Sequence, residues 1–191
     1  MISWKKYYET VHQPNRLVRQ ALARYSGKKR RAFDLGAGNM RDSKYLLEQG
    51  FRTVVAIDES PDARQYASDG IVFQQIPVNK FRPQKCSYAF GISCNTLFFV
   101  PRLTAGRVVD RAYDALWPGG VFACNFLGER DEWVVSNQEN VSYLRSGYDV
   151  ELLRDKYDPL ELVEVEEDRP TALGKPKHWH CWEMILQKPA L

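Results

Sequence analysis

The sequence predicts an α/β protein with a doubly wound, mainly parallel sheet of seven strands and an antiparallel last strand. Short β-branched runs alternate with helical stretches along most of the 191 residues, a pattern typical of a parallel sheet with helices on both faces. An acidic residue and two glycines follow the first run, as in a strand, a tight turn and a helix N-terminus. No helix is predicted between the last two strands, so we expect them to add an antiparallel edge.

The composition predicts one globular domain over residues 1–191, with a helical arm or lid at 1–27 and a core at 28–191. Hydrophobic residues make up 44% and charged residues 27%, as in soluble proteins. No apolar run could span a bilayer, and no apolar segment follows the N-terminal lysines, so we expect a cytoplasmic protein without membrane contact. A net charge of +3 makes nucleic acid an unlikely partner. The four cysteines form no C-x-x-C motif, which favours reduced thiols and no metal site.

The first half of the chain begins with two predicted helices, 3–12 and 14–25, separated at Pro14. Asp42 or Ser43 is the predicted cap of the next helix, which stops at Gly50. Ser60 and Pro61 are predicted to open a helix to residue 69. Buried parallel strands are predicted, from their β-branched content, at residues 31–35, 52–57, 71–76 and 87–93.

In the second half, Pro101 is predicted to start a helix that runs to Leu116, because its apolar residues recur at helical spacing. A proline–glycine turn then leads into the fifth strand. Loop and short elements are expected over 127–147, and a helix over 148–156. The remaining strands are predicted at 121–126, 160–165 and 178–187.

The glycine turn predicts a nucleoside site. Gly36 and Gly38 lack Cβ, so the turn can bend sharply and its backbone can approach a ligand. A dinucleotide site would carry a third glycine where this chain has Arg41, so a pyrophosphate is disfavoured. Asp58 ends the second strand 20 residues after Gly38, a spacing suited to a carboxylate that binds ribose hydroxyls.

These motifs resemble the class I S-adenosylmethionine-dependent methyltransferases, and most of all the small bacterial type related to tellurite-resistance and thiopurine methyltransferases. The resemblance implies a Rossmann-like fold, S-adenosylmethionine as cofactor and a small-molecule methyl acceptor. The segments that carry it are Asp34-Leu35-Gly36-Ala37-Gly38, Asp58-Glu59-Ser60-Pro61, Leu116-Trp117-Pro118-Gly119-Gly120, the aromatic arm Trp4-Lys5-Lys6-Tyr7-Tyr8, the loop 128–133 and the strand start 177–180.

The cofactor site is expected at the carboxyl ends of the parallel strands. Asp34 has two interpretations. It either contacts the ligand directly or only accepts hydrogen bonds from the backbone N–H groups of the glycine turn. The resemblance also implies an acid after the third strand; this chain has none there, so the adenine contact would pass to Asn79 or to backbone groups, and an inactive relative stays open. The predicted cofactor-binding residues are Trp4, Tyr8, Asp34, Gly36, Ala37, Gly38, Arg41, Asp58, Glu59, Val78, Asn79 and Ser93.

The acceptor pocket is predicted from the loop after the fifth strand and the start of the last one. We expect Trp133 to pack beside the transferred methyl group and His178 to act as a general base, with Asp131 in support. The alternatives are a helix cap for Asp131 and a core position for Trp133. His180 is interpreted as a hydrogen-bonded structural histidine.

Three functions remain at this point. The first is methyl transfer, and the second is nucleoside binding by the same fold without catalysis. The third, a nicotinamide oxidoreductase, is disfavoured by Arg41.

Overall fold

The computed structural model describes residues 4–137 and 140–190, which form one mixed sheet between two layers of helices. The strand order is β3-β2-β1-β4-β5-β8-β7, with β6 beside the end of β5. The strands are β1 (Arg31–Leu35), β2 (Thr53–Asp58), β3 (Ile71–Gln75), β4 (Tyr88–Ser93), β5 (Leu116–Gly128), β6 (Tyr143–Leu144), β7 (Glu161–Asp168) and β8 (His178–Gln187).

The predicted fold class is confirmed. Strands β1 to β5 pair in parallel, and β8 runs antiparallel to both β5 and β7. The seven predicted strands are present, six of them within three residues of their expected bounds. β5 begins five residues early, at Leu116, so the predicted proline–glycine turn lies within this strand, where its register with β4 shifts. The sheet adds one element, the two-residue β6, which pairs in parallel with the end of β5 inside the stretch predicted as a loop.

Six α-helices are present in the described residues: α1 (Trp4–Thr10), α2 (Arg16–Ala23), α3 (Arg41–Glu48), α4 (Arg102–Ala115), α5 (Glu132–Val135) and α6 (Tyr148–Tyr157). The helix predicted over 61–69 is only a 3₁₀ turn, Pro61–Tyr66. Two further 3₁₀ turns follow β3 and β4, at Val78–Lys80 and Leu97–Phe99.

The predicted cap of α3 is wrong. Met40 precedes the helix with φ 59° and gives no side-chain cap. Asp42 and Ser43 lie inside the helix, where their side chains have other partners: Asp42 Oδ1 accepts from the backbone N–H of Asn15 at 2.6 Å, and Ser43 donates to Asp34 at 2.7 Å.

The core has two halves, one on each face of the sheet, because successive strand residues point to opposite sides. Phe33 packs with residues of α4 and α6, whereas its neighbour Ala32 packs with residues of α2 and α3. Within the predicted arm, α2 therefore belongs to this packed layer, since Leu17 and Val18 are fully buried.

The fold brings the carboxyl ends of β1, β2 and β4 to one edge of the sheet, since β1 pairs in parallel with both neighbours. The glycine turn follows β1, Asp58 is the last residue of β2, and residues 94–96 follow β4. Among the described residues, no helix is long and apolar enough to cross a membrane.

Candidate cofactor site

The turn after β1 is tied to the end of β2 by hydrogen bonds. The N–H groups of Gly36 and Ala37 donate to the carbonyl of Ile57 at 2.8 and 3.0 Å. Asp58 accepts from Gly38 N–H with Oδ2 and from Ser60 N–H with Oδ1, both at 2.8 Å. Burial raises the pKa of Asp58, and these two N–H groups oppose the rise. Each carboxylate oxygen has a second lone pair for a ligand.

Both glycines of the turn are required by backbone angle and by space. Gly36 has φ 79° and Gly38 has φ 51°, in the left-handed region that L side chains avoid. A Cβ at Gly36 would lie 2.0 Å from Thr96 Oγ1, and one at Gly38 would lie 2.9 Å from the Tyr8 ring. The turn is thus closely covered by the segment after β4 and by α1.

A cavity of about 540 Å³ opens between this turn, the end of β2 and α1. Ten of the twelve predicted cofactor residues line it: Trp4, Tyr8, Gly36, Ala37, Gly38, Arg41, Asp58, Glu59, Val78 and Asn79. The wall also contains Tyr7 of the aromatic arm, Asn39 after the glycine turn, and Asn95 and Thr96 after β4. Phe99, in the 3₁₀ turn that follows, lines the cavity too and was not expected from the sequence.

Asp34 and Ser93 are the two predicted residues that do not line the cavity. Asp34 is buried and accepts a hydrogen bond from Ser43 Oγ at 2.7 Å. Burial, and then the nearby carboxylate of Asp42, raises its pKa well above the usual range. Ser93 is buried and donates to the carbonyl of Leu35 at 3.1 Å. Both side chains fasten elements beneath the cavity, and Asp34 does so through a hydroxyl instead of the expected backbone N–H groups.

Helix α1, in the predicted lid, lines one side of the cavity with Trp4, Tyr7 and Tyr8. Asn39, directly after the glycine turn, donates with Nδ2 to the carbonyls of Tyr8, at 2.8 Å, and Val11. Trp4 packs edge-on against Phe99, with ring centroids 5.2 Å apart. The lid is therefore attached directly to the glycine turn.

Comparisons with known proteins agree with this geometry. No protein-family model matches the sequence, and no curated protein matches it. Many solved structures share its fold, among them the following three. TehB from Haemophilus influenzae has a TM-score of 0.73 and 16% identity over 97% of this chain and 65% of that one. A putative S-adenosylmethionine-dependent methyltransferase from Listeria monocytogenes has a TM-score of 0.65 and 17% identity over 90% and 97% of the two chains.

The third solved structure is the N-methyltransferase NodS from Bradyrhizobium japonicum WM9 in complex with S-adenosylhomocysteine. It has a TM-score of 0.65 and 16% identity over 91% of this chain and 84% of that one. The fold is that of the S-adenosylmethionine-dependent methyltransferases. The predicted resemblance, including that to the tellurite-resistance type, is confirmed at the level of the fold.

On this methyltransferase fold, His178 does not face the cavity. Its side chain is 40% exposed, with Nδ1 at 2.8 Å from Asp168 and Nε2 at 3.2 Å from Glu166. These two carboxylates of β7 raise the pKa of His178. The predicted meeting of His178 and Trp133 beside the methyl group is wrong, because β7 lies next to β8 and holds the histidine at its own acidic edge.

Asp131 and Trp133 have the roles given above as alternatives. Asp131 is fully buried and caps α5 through the N–H of Trp133 at 3.0 Å. It also pairs with the buried Lys177 Nζ at 2.5 Å. Trp133 packs against the rings of Phe99 and Trp179, with centroids 6.3 and 5.5 Å apart. Neither side chain lines the cavity, although Trp133 supports Phe99, which does.

His180 is the structural histidine that the sequence predicted. It is fully buried, accepts from the N–H of Arg130 at 3.0 Å, and contacts Glu164 at 2.8 Å. No group of three or more metal-binding side chains occurs within residues 4–137 and 140–190.

Proposed function

We propose that this protein transfers the methyl group of S-adenosylmethionine to a small-molecule acceptor in the cytoplasm. One observation carries the proposal: the glycine turn and Asp58 face a common cavity at the carboxyl ends of β1 and β2, on the methyltransferase fold. Four free cysteines agree with a reducing compartment.

The cavity offers groups for each part of the cofactor. The free lone pairs of Asp58 suit the ribose hydroxyls, as the spacing to Gly38 predicts. Asn79 suits the adenine, because its Oδ1 is buried and has no hydrogen-bond partner within the described part of the chain. A buried amide oxygen without a donor is costly, and the adenine amino group would supply that donor.

Methyl transfer is a displacement reaction, in which the protein mainly aligns the cofactor with the methyl acceptor. When bound, S-adenosylmethionine supplies a methyl group already activated by its positive sulfur. Tyr7, Phe99 and Trp4 line the cavity with aromatic rings, which suit a cation and exclude water. Alignment and water exclusion are the main contributions that such a transfer needs from the chain.

Calorimetric titration tests the cofactor part. We expect S-adenosylmethionine and S-adenosylhomocysteine to bind and NAD not to bind, because Arg41 stands where a dinucleotide site has its third glycine. Failure of both S-adenosyl compounds to bind would overturn the proposal. Binding without release of S-adenosylhomocysteine across an acceptor panel would favour the non-catalytic alternative.

A further inference from the structure

A second cavity, of about 490 Å³, adjoins the cofactor cavity. Its walls come from β7, β8, the loop 169–172 and the segment that joins α1 to α2. Three residues, Tyr7, Arg41 and Asn95, line both cavities and so mark their common boundary. A molecule in the second cavity would meet a bound cofactor at that boundary.

The charged side chains of the second cavity are paired, but the ion pair of Arg41 with Asp42 at the boundary, at 3.7 Å, is too long for a hydrogen bond. Arg16 pairs with Glu183 at 2.9 Å, and Arg169 donates to Glu167 at 2.8 Å. The walls also carry apolar side chains: Val11, Pro14, Val165, Pro170 and Ala172. The cavity therefore favours an apolar body and offers no unpaired carboxylate for an ammonium group.

The boundary presents hydrogen-bond donors without acceptors. The Arg41 side chain is only 14% exposed, and the carboxylate oxygen it approaches, on Asp42, is 3.7 Å from Nε, too far for a hydrogen bond. Within the described residues, the guanidinium has this one long ion pair and no hydrogen bond of normal length, so its N–H donors can still bind an acceptor group of a ligand.

Asn95 adds a second donor, which Asn125 positions. Asn95 N–H donates to Asn125 Oδ1 at 2.7 Å, and Asn125 Nδ2 donates back to Asn95 Oδ1 at 2.8 Å. This reciprocal pair links the end of β4 to β5 and holds Asn95 at φ 54°. Asn95 Nδ2 remains, in the described chain, without an acceptor.

We propose that the second cavity binds the methyl acceptor and that this acceptor is a small organic acid, with its carboxylate at Arg41 and Asn95. The inference rests on the proposed methyl transfer. A carboxylate oxygen is unprotonated at neutral pH, so it needs no base, and no histidine lines the second cavity. The oxygen lone pair forms the new C–O bond, the S–CH₃ bond breaks with its electrons on sulfur, and the products are a methyl ester and S-adenosylhomocysteine.

The first experiment compares benzoate, benzamide and benzylamine, which share a ring and differ in the polar group. Each is titrated calorimetrically into protein saturated with S-adenosylhomocysteine. We expect benzoate to bind at least about ten-fold more tightly than the other two, because a carboxylate can accept a bidentate bond from Arg41. Equal affinities, a preference for benzylamine, or no binding of benzoate would overturn the proposal. The prior binding of S-adenosylhomocysteine separates this failure from failure of the proposed function.

Filling the cavity tests its location. Val165→Trp, on β7, should weaken benzoate at least about ten-fold and leave S-adenosylhomocysteine affinity unchanged. Val163→Trp is the matched control, because Val163 lies two residues away on the same side of β7, is 48% exposed and lines neither cavity. Ala172→Trp, in an exposed loop of the same cavity, serves if Val165→Trp fails to fold. Unchanged benzoate affinity in a folded cavity-filling variant would overturn the location.

The carboxylate at Arg41 could also come from the methionine end of the cofactor, and Arg41→Gln separates the two sources. S-adenosylhomocysteine carries that carboxylate, whereas 5′-methylthioadenosine lacks it. We expect Arg41→Gln to weaken benzoate about ten-fold or more and to change the affinities of the two nucleosides equally. A selective loss of S-adenosylhomocysteine would assign the guanidinium to the cofactor and overturn its role in acceptor binding.

Discussion

Replacement of Asp58 should separate its two roles, in holding the glycine turn and in binding the cofactor. Its two oxygens accept from the N–H groups of Gly38 and Ser60 at 2.8 Å. Hydrogen bonds to a charged group contribute about 1.5–3 kcal/mol each, so Asp58→Ala removes up to ~3–6 kcal/mol before water replaces the carboxylate. We expect a less stable protein. Its affinity for S-adenosylhomocysteine should fall by ~10–100-fold, which corresponds to the loss of one or two hydrogen bonds between the carboxylate and the ribose hydroxyls.

Asp58→Asn sharpens this experiment, because both backbone partners are donors. An amide offers only one acceptor oxygen, and its NH₂ group would face the other N–H. The asparagine variant should therefore lose about half of the stabilisation and fail to restore binding. Asp62→Ala, at an exposed site outside the cavity, is the control. Circular dichroism and chemical unfolding give stability, and calorimetry gives affinity. A folded Asp58→Ala protein with wild-type affinity would refute the reasoning.

Three further predictions concern the turn and the buried charges. Gly38→Val should abolish S-adenosylhomocysteine binding, because φ is positive and a Cβ meets α1; normal affinity would place the ligand elsewhere. Burial raises the pKa of Asp34, so the folded protein favours the neutral carboxyl group. The resulting contribution to the free energy of unfolding is full below about pH 4 and is lost as the pH rises through the raised pKa. The stability of Asp34→Asn relative to wild type, from urea unfolding, should therefore increase with pH, and a flat difference would contradict this. Lys177→Met should cost ~3–5 kcal/mol in the same assay by leaving Asp131 buried without its partner; a loss below ~1 kcal/mol would show that the pair contributes little.

The sequence predicted the parts of the site that depend on local patterns. The glycine turn and Asp58 are set by a strand, a bend and the next strand, all visible in a short window. The rule that ligands lie at the carboxyl ends of parallel strands then placed Val78 and Asn79 on the same cavity.

The prediction for His178 failed because its surroundings depend on the register between β7 and β8, whereas the sequence predicted only that these strands pair. His178 was expected at the ligand edge, but the register places it opposite Asp168 of β7. The alternating acids of β7 were a signal for this pairing, since opposite charges favour facing positions on neighbouring strands. The pair of Asn95 and Asn125 lacked any local signal, because it forms only when β4 and β5 lie side by side.

The walls of the second cavity combine residues 7–16 with residues 165–183, which are far apart in the sequence. The salt bridge between Arg16 and Glu183 joins residues 167 positions apart, and the contacts of the lid with Asn39 and Phe99 also span long stretches. Such contacts close large loops and form late in folding. During synthesis, Arg16 at the start of α2 therefore lacks its partner until β8 has left the ribosome. A nascent chain can build the glycine turn early, but it can enclose an acceptor only after β8 has been made.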